Sequence, residues 1–157
     1  MIQSSKINSK FGQIIIHTNH KGIFKLDLPN KSQNIKNQTL LKDFTEIHKK
    51  TVKELYEYFF NNRKIFSIPI DLNIPPFYEL VLNEVITIPY GTTRSYKEIA
   101  LKINHEKAYR AVGLANSKNP IPIIIPCHRV INSNGIIGGY GGGSNLKEKL
   151  LKFENYK

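Results

Sequence analysis

The only cysteine in this chain of 157 residues is Cys127. It stands in the hexapeptide IPCHRV, residues 125–130, with His128 and Arg129 directly after it. A thiol reacts as its thiolate, and a base or cation nearby favours that form. Cysteine, imidazole and guanidinium in a row are thus the parts of a nucleophile with an adjacent base and positive charge. Pro122 and Pro126 restrict the chain path before the cysteine, which suits a rigid, shaped site better than an ordinary strand. The competing reading is a buried structural cysteine, since free cysteines often act as small hydrophobes. If the segment is a strand, neighbouring side chains point to opposite faces. Cys127 would then reach His128 through a bridging water rather than directly. A lone cysteine forms no internal disulfide, and no cluster has zinc-ligand spacing.

The elements that must position these residues can be read from periodicity. Residues 11–28, FGQIIIHTNHKGIFKLDL, read as a β-hairpin with a polar turn near residues 19–22. Residues 30–43 are polar and read as loop. Residues 44–60 read as an amphipathic helix with Ile47, Leu55, Tyr58 and Phe59 on one side. IFSIPIDL, residues 65–72, reads as a short strand. His17, His20 and His48 are scattered, so surface or turn roles are the default for them. A second part begins near Pro75. Pro76 suits a first helical turn, and Phe77, Leu80, Val81 and Val85 keep helical spacing. SYKE, residues 95–98, is a capping box in which Ser95 and Glu98 exchange backbone contacts. A short helix follows to about Ile103, then a turn at 104–106, then a helix from Lys107 to about Ser117. Helix, tight turn and basic helix is a helix-turn-helix layout, a weak signal alone. Residues 123–125 and 130–131 read as buried strand pieces, and NSNG as a turn. GGYGGG leads into a last helix, with Asn145 and Glu148 as its cap and Leu146, Leu150 and Leu151 on its buried face. That glycine loop is not a phosphate-binding loop, because no Lys-Ser/Thr follows it.

Composition bounds the function classes. Apolar residues make up 40 %, enough for a real core in one domain or two small ones. The longest apolar run, at 121–125, is too short to span a membrane, and MIQSSKINSK lacks the apolar core of a signal peptide. The expected compartment is the cytoplasm, or the nucleus in a eukaryote. The net charge is +11. Residues 1–90 hold 12 Lys and Arg against 8 Asp and Glu, and residues 91–157 hold 11 against 4. A basic C-terminal part points to a polyanion, most simply nucleic acid; solubility, or the composition of an AT-rich genome, is the plain alternative.

RAVG at 110–113, NP at 119–120 and PCHRV at 126–130 together resemble the O6-alkylguanine-DNA alkyltransferase family. The family pattern can be followed without a gap from Arg110 to Glu154. IPYGTTRSYKEIA at 88–100 resembles its helix-turn-helix, and the N-terminal hairpin resembles its first strands, so nearly the whole chain is covered. The resemblance implies an α+β fold in two lobes. Residues 1–74 would form a supporting ribonuclease-H-like sheet with a helix. Residues 75–157 would form a mostly helical lobe that binds DNA and accepts the alkyl group. Cys127 would be the acceptor, and His128 would act through water as the base that keeps it a thiolate. Glu154 would orient His128, although a glutamate near a C-terminus is ordinarily just a solvated charge. Asn119 would hold the active-site turn, and Tyr96 would give a proton or hydrogen bond to the departing guanine. Arg110 would fill the gap left by the extruded base. Ser95, Tyr96, Ala111, Gly113, Asn116 and Arg129 would face the DNA, and Pro122, Val130, Gly138, Tyr140 and Gly141 would line the pocket. The implied partner is double-stranded DNA carrying O6-alkylguanine, with O4-alkylthymine a further candidate. The protein would be a monomer that uses no cofactor or metal and reacts once. Leu82 stands where members usually have tryptophan, and Gly141 where some have serine. A zinc site present in some members would need several cysteines.

Three rivals remain at this level. A damage-sensing relative would replace the cysteine. A helix-turn-helix regulator would leave Cys127 unexplained. A cysteine hydrolase would need an oxyanion hole and multiple turnover.

Overall fold

The computed structural model describes residues 1–29 and 43–155. Apart from Asp43, the stretch 30–43 read as loop lies outside them. The chain divides into two compact units, Met1–Asn73 and Ile74–Lys157.

In the first unit, strands β1 (Gln3–Ser9), β2 (Gly12–Thr18) and β3 (Ile23–Asp27) form an antiparallel sheet in that order. The expected hairpin is β2–β3, with Ile16 opposite Leu26. Its turn is held by Asn19, whose Oδ1 accepts from the amides of Lys21 and Gly22 at 2.8 and 3.1 Å. Strand β1 was not expected, because QSSKINS has no apolar alternation. Its inward positions are polar and are satisfied by hydrogen bonds. Gln3 Nε2 donates to the Asp43 carbonyl at 2.6 Å, and its Oε1 accepts from the Thr45 amide at 2.8 Å. Helix α1 (Glu46–Phe60) starts at the Thr45 cap. Its buried face carries His48, Thr51, Glu54, Leu55, Tyr58 and Phe59, whereas Ile47 is only half-buried. His48 is thus a core residue and not a surface one. Its ring shares hydrogen bonds with Ser5 and Thr18 at 2.8 and 2.7 Å. His17 bonds Ser4 and Asp27, and His20 is exposed as expected. The stretch 65–72 makes only a single bridge, Ile23 with Ile70, because Pro69 has no amide to extend a ladder. Gly22 lies against the Pro69 carbonyl, where any Cβ would collide.

The second unit is mostly helical. Helix α2 (Pro76–Val85) begins with proline and buries Val81, Leu82 and Val85; Leu80 is exposed. Strand β4 (Arg94–Ser95) leads into α3 (Tyr96–Lys102), whose capping box is fully formed. The Ser95 amide donates to Glu98 at 2.6 Å, and the Glu98 amide donates to Ser95 Oγ at 3.1 Å. Helix α4 (Tyr109–Ser117) starts two residues later than the spacing predicts, because His105 and Ala108 close a turn of their own. Strand β5 (Val130–Ile131) pairs in parallel with β4. Residues 123–125 form a turn and no strand, with Ile123 in the left-handed region at φ 74°. Helix α5 (Ser144–Phe153) is capped by the backbone of Gly143 at φ 92° and has no side-chain cap. The cap expected of Asn145 and Glu148 therefore does not form. No helix among the described residues is long and apolar enough to cross a membrane.

Candidate active site

The two-residue β4–β5 ladder sets the architecture of the site. Arg94 pairs with Val130 and Ser95 with Ile131. The start of α3, with Tyr96, is thereby held beside the chain that immediately follows Cys127.

The turn before Cys127 is built by Asn119. Its Oδ1 accepts from the Ile121 amide at 2.9 Å, and its Nδ2 donates to the Ile125 carbonyl at 2.8 Å. The Cys127 amide donates to the same carbonyl at 2.8 Å, across Pro126 at φ −81° and ψ 62°. This is an inverse γ-turn, in which proline supplies the required φ. Residues Cys127–Arg129 then form one 3₁₀ turn, so strand alternation does not govern where the three side chains point.

Cys127 is 5 % exposed. The Asn119 amide, the Lys147 ammonium and the Tyr140 side chain surround it. Burial pushes the thiol up, and the favourable contacts with Asn119, Lys147 and Tyr140 do not offset that. Burial thus favours the thiol form of Cys127 before its proton is taken up. His128 is fully buried. Burial lowers it, and Arg129 and Lys147 lower it further against the pull of Glu154. A neutral imidazole opposite a carboxylate must place its one N–H on the nitrogen facing that carboxylate. Nε2 thus donates to Glu154 Oε1 at 2.8 Å. Nδ1 carries the lone pair, and it is buried with no hydrogen-bond partner among the described residues. An imidazole in that state is a base with its acceptor free.

Glu154 is 1 % exposed. Burial alone would raise its carboxyl, but hydrogen bonds and charge from His128 and Arg129 win and hold it well below the usual range. Arg129 Nε donates to Oε2 and Nη2 to Oε1, each at 2.8 Å. Its Nη1 donates to the Ile88 carbonyl at 2.6 Å, and the Tyr90 ring lies 5.6 Å from the guanidinium. Arg129 is consequently buried and fully engaged, and it does not face DNA as expected. Asn116 is likewise buried, at 5 % exposure, with Nδ2 donating to the Cys127 carbonyl at 3.2 Å; it too is displaced from the expected DNA face.

Of the other expected residues, Tyr96 is half-buried and its ring lies 5.8 Å from Lys147 Nζ. Burial and then the Cys127 charge push its hydroxyl up. The Tyr140 hydroxyl is buried near Cys127 and is also pushed well up. Val130 and Pro122 are buried in the turn that holds the cysteine. Gly138 adopts φ 76°, and a Cβ there would lie 3.2 Å from Asn132 Nδ2, while the space around Gly141 is open. Ser95 spends its side chain on the cap. A Cβ on Gly113 would make ordinary contact with the Tyr96 ring. Arg110 and Ala111 lie exposed on α4, away from the buried groups. Tyr96, Lys97, Tyr109, Asn132, Ser133 and Asn134 line a surface recess of about 280 Å³.

Sequence reasoning missed Lys147. It is fully buried on α5. Its Nζ donates to the Val130 carbonyl at 2.5 Å and the Gly139 carbonyl at 3.3 Å. Burial lowers it to about 8, with Cys127 opposing. A signal existed: Leu146, Leu150 and Glu154 recur every four residues, and Lys147, Leu151 and Glu154 fall at i, i+4 and i+7. That period places Lys147 and Glu154 on the buried stripe of the last helix.

Comparison with known proteins gives a consistent picture. Residues 2–72 match the family model of the 6-O-methylguanine DNA methyltransferase ribonuclease-like domain, and residues 76–156 match that of its DNA binding domain. The methylated-DNA–protein-cysteine methyltransferase of Methanosarcina barkeri is 40 % identical over 148 residues, covering 94 % of each chain. That of Mycobacterium leprae is 50 % identical over 106 residues, covering 68 % of this chain and 64 % of its own. Among solved structures, Mycobacterium tuberculosis OGT in complex with DNA superposes with a TM-score of 0.86 at 37 % identity, covering 97 % of this chain and 92 % of that one.

Proposed function

Since the chain belongs to the methylated-DNA–protein-cysteine methyltransferase family, we propose that it repairs DNA by moving an alkyl group from O6 of guanine onto Cys127. The observation that carries this reading is the buried relay: Glu154 fixes the His128 tautomer, and the free Nδ1 lies one residue from the thiol. The enzyme is stoichiometric, each molecule serving as both catalyst and acceptor.

The chemistry follows from the geometry. The target carbon lies within the base stack, so the nucleotide must be extruded, at a cost of a few kcal/mol. Exposed Arg110 on α4 occupies the gap, and the basic second unit supplies phosphate affinity. The Cys127 proton passes through a water to His128 Nδ1, and Glu154 stabilises the resulting imidazolium. The thiolate forms beside the Lys147 ammonium. Sulfur then attacks the alkyl carbon as the C–O6 bond breaks. The bonding pair leaves with guanine, which Tyr96 meets with a hydrogen bond and which takes up a proton on release. The product is a thioether with no water-labile bond, and the chain has no second cysteine to resolve it. No step calls for a cofactor. The protein acts as a monomer in the compartment that holds the genome, the cytoplasm or, in a eukaryote, the nucleus, and O4-alkylthymine is a further candidate substrate.

Incubation with duplex DNA containing O6-methylguanine should add one methyl group to the peptide bearing Cys127, with one equivalent consumed per molecule. An unmodified peptide after full incubation, or continued turnover, would sink the reading.

A further inference from the structure

Glu154 must face His128 from an unpromising place. It is the C-cap of α5, and helix ends fray. A turn far away in the chain meets it there. Residues 89–92 form that turn, in which the Thr92 amide and hydroxyl donate to the Pro89 carbonyl at 3.1 and 2.8 Å. Gly91 takes φ 76°, the left-handed value that a type II turn needs at its third residue. A Cβ on Gly91 would lie 3.0 Å from the Glu154 carbonyl oxygen, so the turn packs directly on the end of α5.

The same turn holds the group that grips the Glu154 side chain. Arg129 donates to both carboxylate oxygens of Glu154. Its Nη1 donates to the Ile88 carbonyl at 2.6 Å, and the half-buried Tyr90 ring lies 5.6 Å from the guanidinium. A guanidinium is attracted to an aromatic face. The Tyr90 hydroxyl also reaches the carbonyl of Phe153, the residue before Glu154, at 3.5 Å, which is a long hydrogen bond. We propose that Tyr90 is a positioning residue for alkyl transfer: its ring fixes Arg129 and, with the close approach of Gly91, keeps the Glu154 carboxylate on His128 Nε2. A leucine would fill much of the same space and offer no aromatic face.

The inference rests on the methyl-transfer reading for its effect on rate, so the unaltered protein is assayed first. If it transfers no methyl group, the function itself fails, while solvent exchange of the His128 Nε2 proton, followed by NMR without substrate, still tests the clamp. In Tyr90→Leu that proton should exchange about tenfold faster, as a local opening would make it. The amide of Val112, buried in α4 and bonded to the Ala108 carbonyl, should keep its native protection. The single-turnover rate at saturating O6-methylguanine duplex should fall by roughly tenfold, the cost of a misplaced group. Tyr90→Phe keeps the ring and should restore both readings. Should Tyr90→Leu not fold, Gly91→Ala, which sets a Cβ against the Glu154 carbonyl, is read in the same two ways. Faster exchange shared by Val112, as a general loss of stability would give, would overturn the assignment. So would a native value of either reading in the leucine variant, or a phenylalanine variant as impaired as the leucine one.

Discussion

With burial favouring the protonated sulfur of Cys127 and the uncharged imidazole of His128, the nucleophile–base pair itself carries no separated charge before the base arrives. Charge is created only when the proton moves, and it is then met on both sides, by Glu154 behind the imidazole and Lys147 beside the sulfur. Groups aimed at charge that develops during reaction lower a barrier more than groups that stabilise the resting state. Glu154 carries a second duty, because the same carboxylate holds buried Arg129 through two hydrogen bonds. Glu154→Gln should therefore do two separable things. Replacing one partner of a buried ion pair costs about 3–5 kcal/mol, visible as a lower unfolding midpoint. Loss of the counter-charge should also slow single-turnover methyl transfer by roughly 10²-fold or more, at a temperature where the variant remains folded. A variant that is destabilised yet transfers at the native rate would confine Glu154 to a structural role.

At the scale of elements, the first unit shows a sheet fastened to its helix by polar groups in its core. Burial, aided by His17, lowers His48 to about 4 from the ordinary 6.5. Between those values the unfolded chain takes up a proton that the folded chain refuses. Stability from this residue is thus fully present above about pH 6.5 and is lost as pH falls towards 4. The loss is of order 2–3 kcal/mol over that span. Glu154, lowered from 4.5, loses its own contribution only below about that pH, so within the first unit the window from 6.5 to 4.5 belongs to His48, while His128, also lowered by burial, adds a dependence of the same sign in the second unit. Urea midpoints of His48→Gln should be flatter across that window than those of the native protein; parallel curves would contradict the assignment. The same residue shows what periodicity could and could not reveal. Helix α1 was legible, but its inward stripe was misplaced towards Ile47, because a histidine bonded to Ser5 and Thr18 reads as polar until its partners are known. Strand β1 was hidden for the same reason. The capping box of α3 needs only residues three apart, so it could be read directly. Cys127 and His128 were legible as a local motif, whereas NP at 119–120 reads only as a turn and the role of Asn119 came from the family resemblance. The burial of Arg129 and Asn116 depends on groups far away in the chain, the Glu154 carboxylate and the Ile88 carbonyl for one, the Cys127 carbonyl for the other, and no local pattern announces it.

At the scale of the whole molecule, the charge is divided unevenly, and the excess of cations after residue 91 lies in the unit that carries Cys127. Two of those cations, Arg129 and Lys147, are buried in the site, so the polyanion must be met by the others. Arg110 is the one whose place on exposed α4 suits a role that charge alone does not explain. A phosphate contact and a wedge make different predictions. A phosphate contact helps any duplex and acts on affinity, weakening the salt dependence by about one charge when removed. A wedge acts only when a base leaves the stack, because its work is to occupy the vacated space. Free O6-alkylguanine needs no extrusion and reaches the same sulfur. Arg110→Ala should therefore slow transfer from duplex by about tenfold or more, in keeping with an unstacking cost of a few kcal/mol, and leave the reaction with the free base nearly unchanged. Equal losses on both substrates would move Arg110 into the support of the pocket. A loss that vanishes at saturating duplex would make it a phosphate contact.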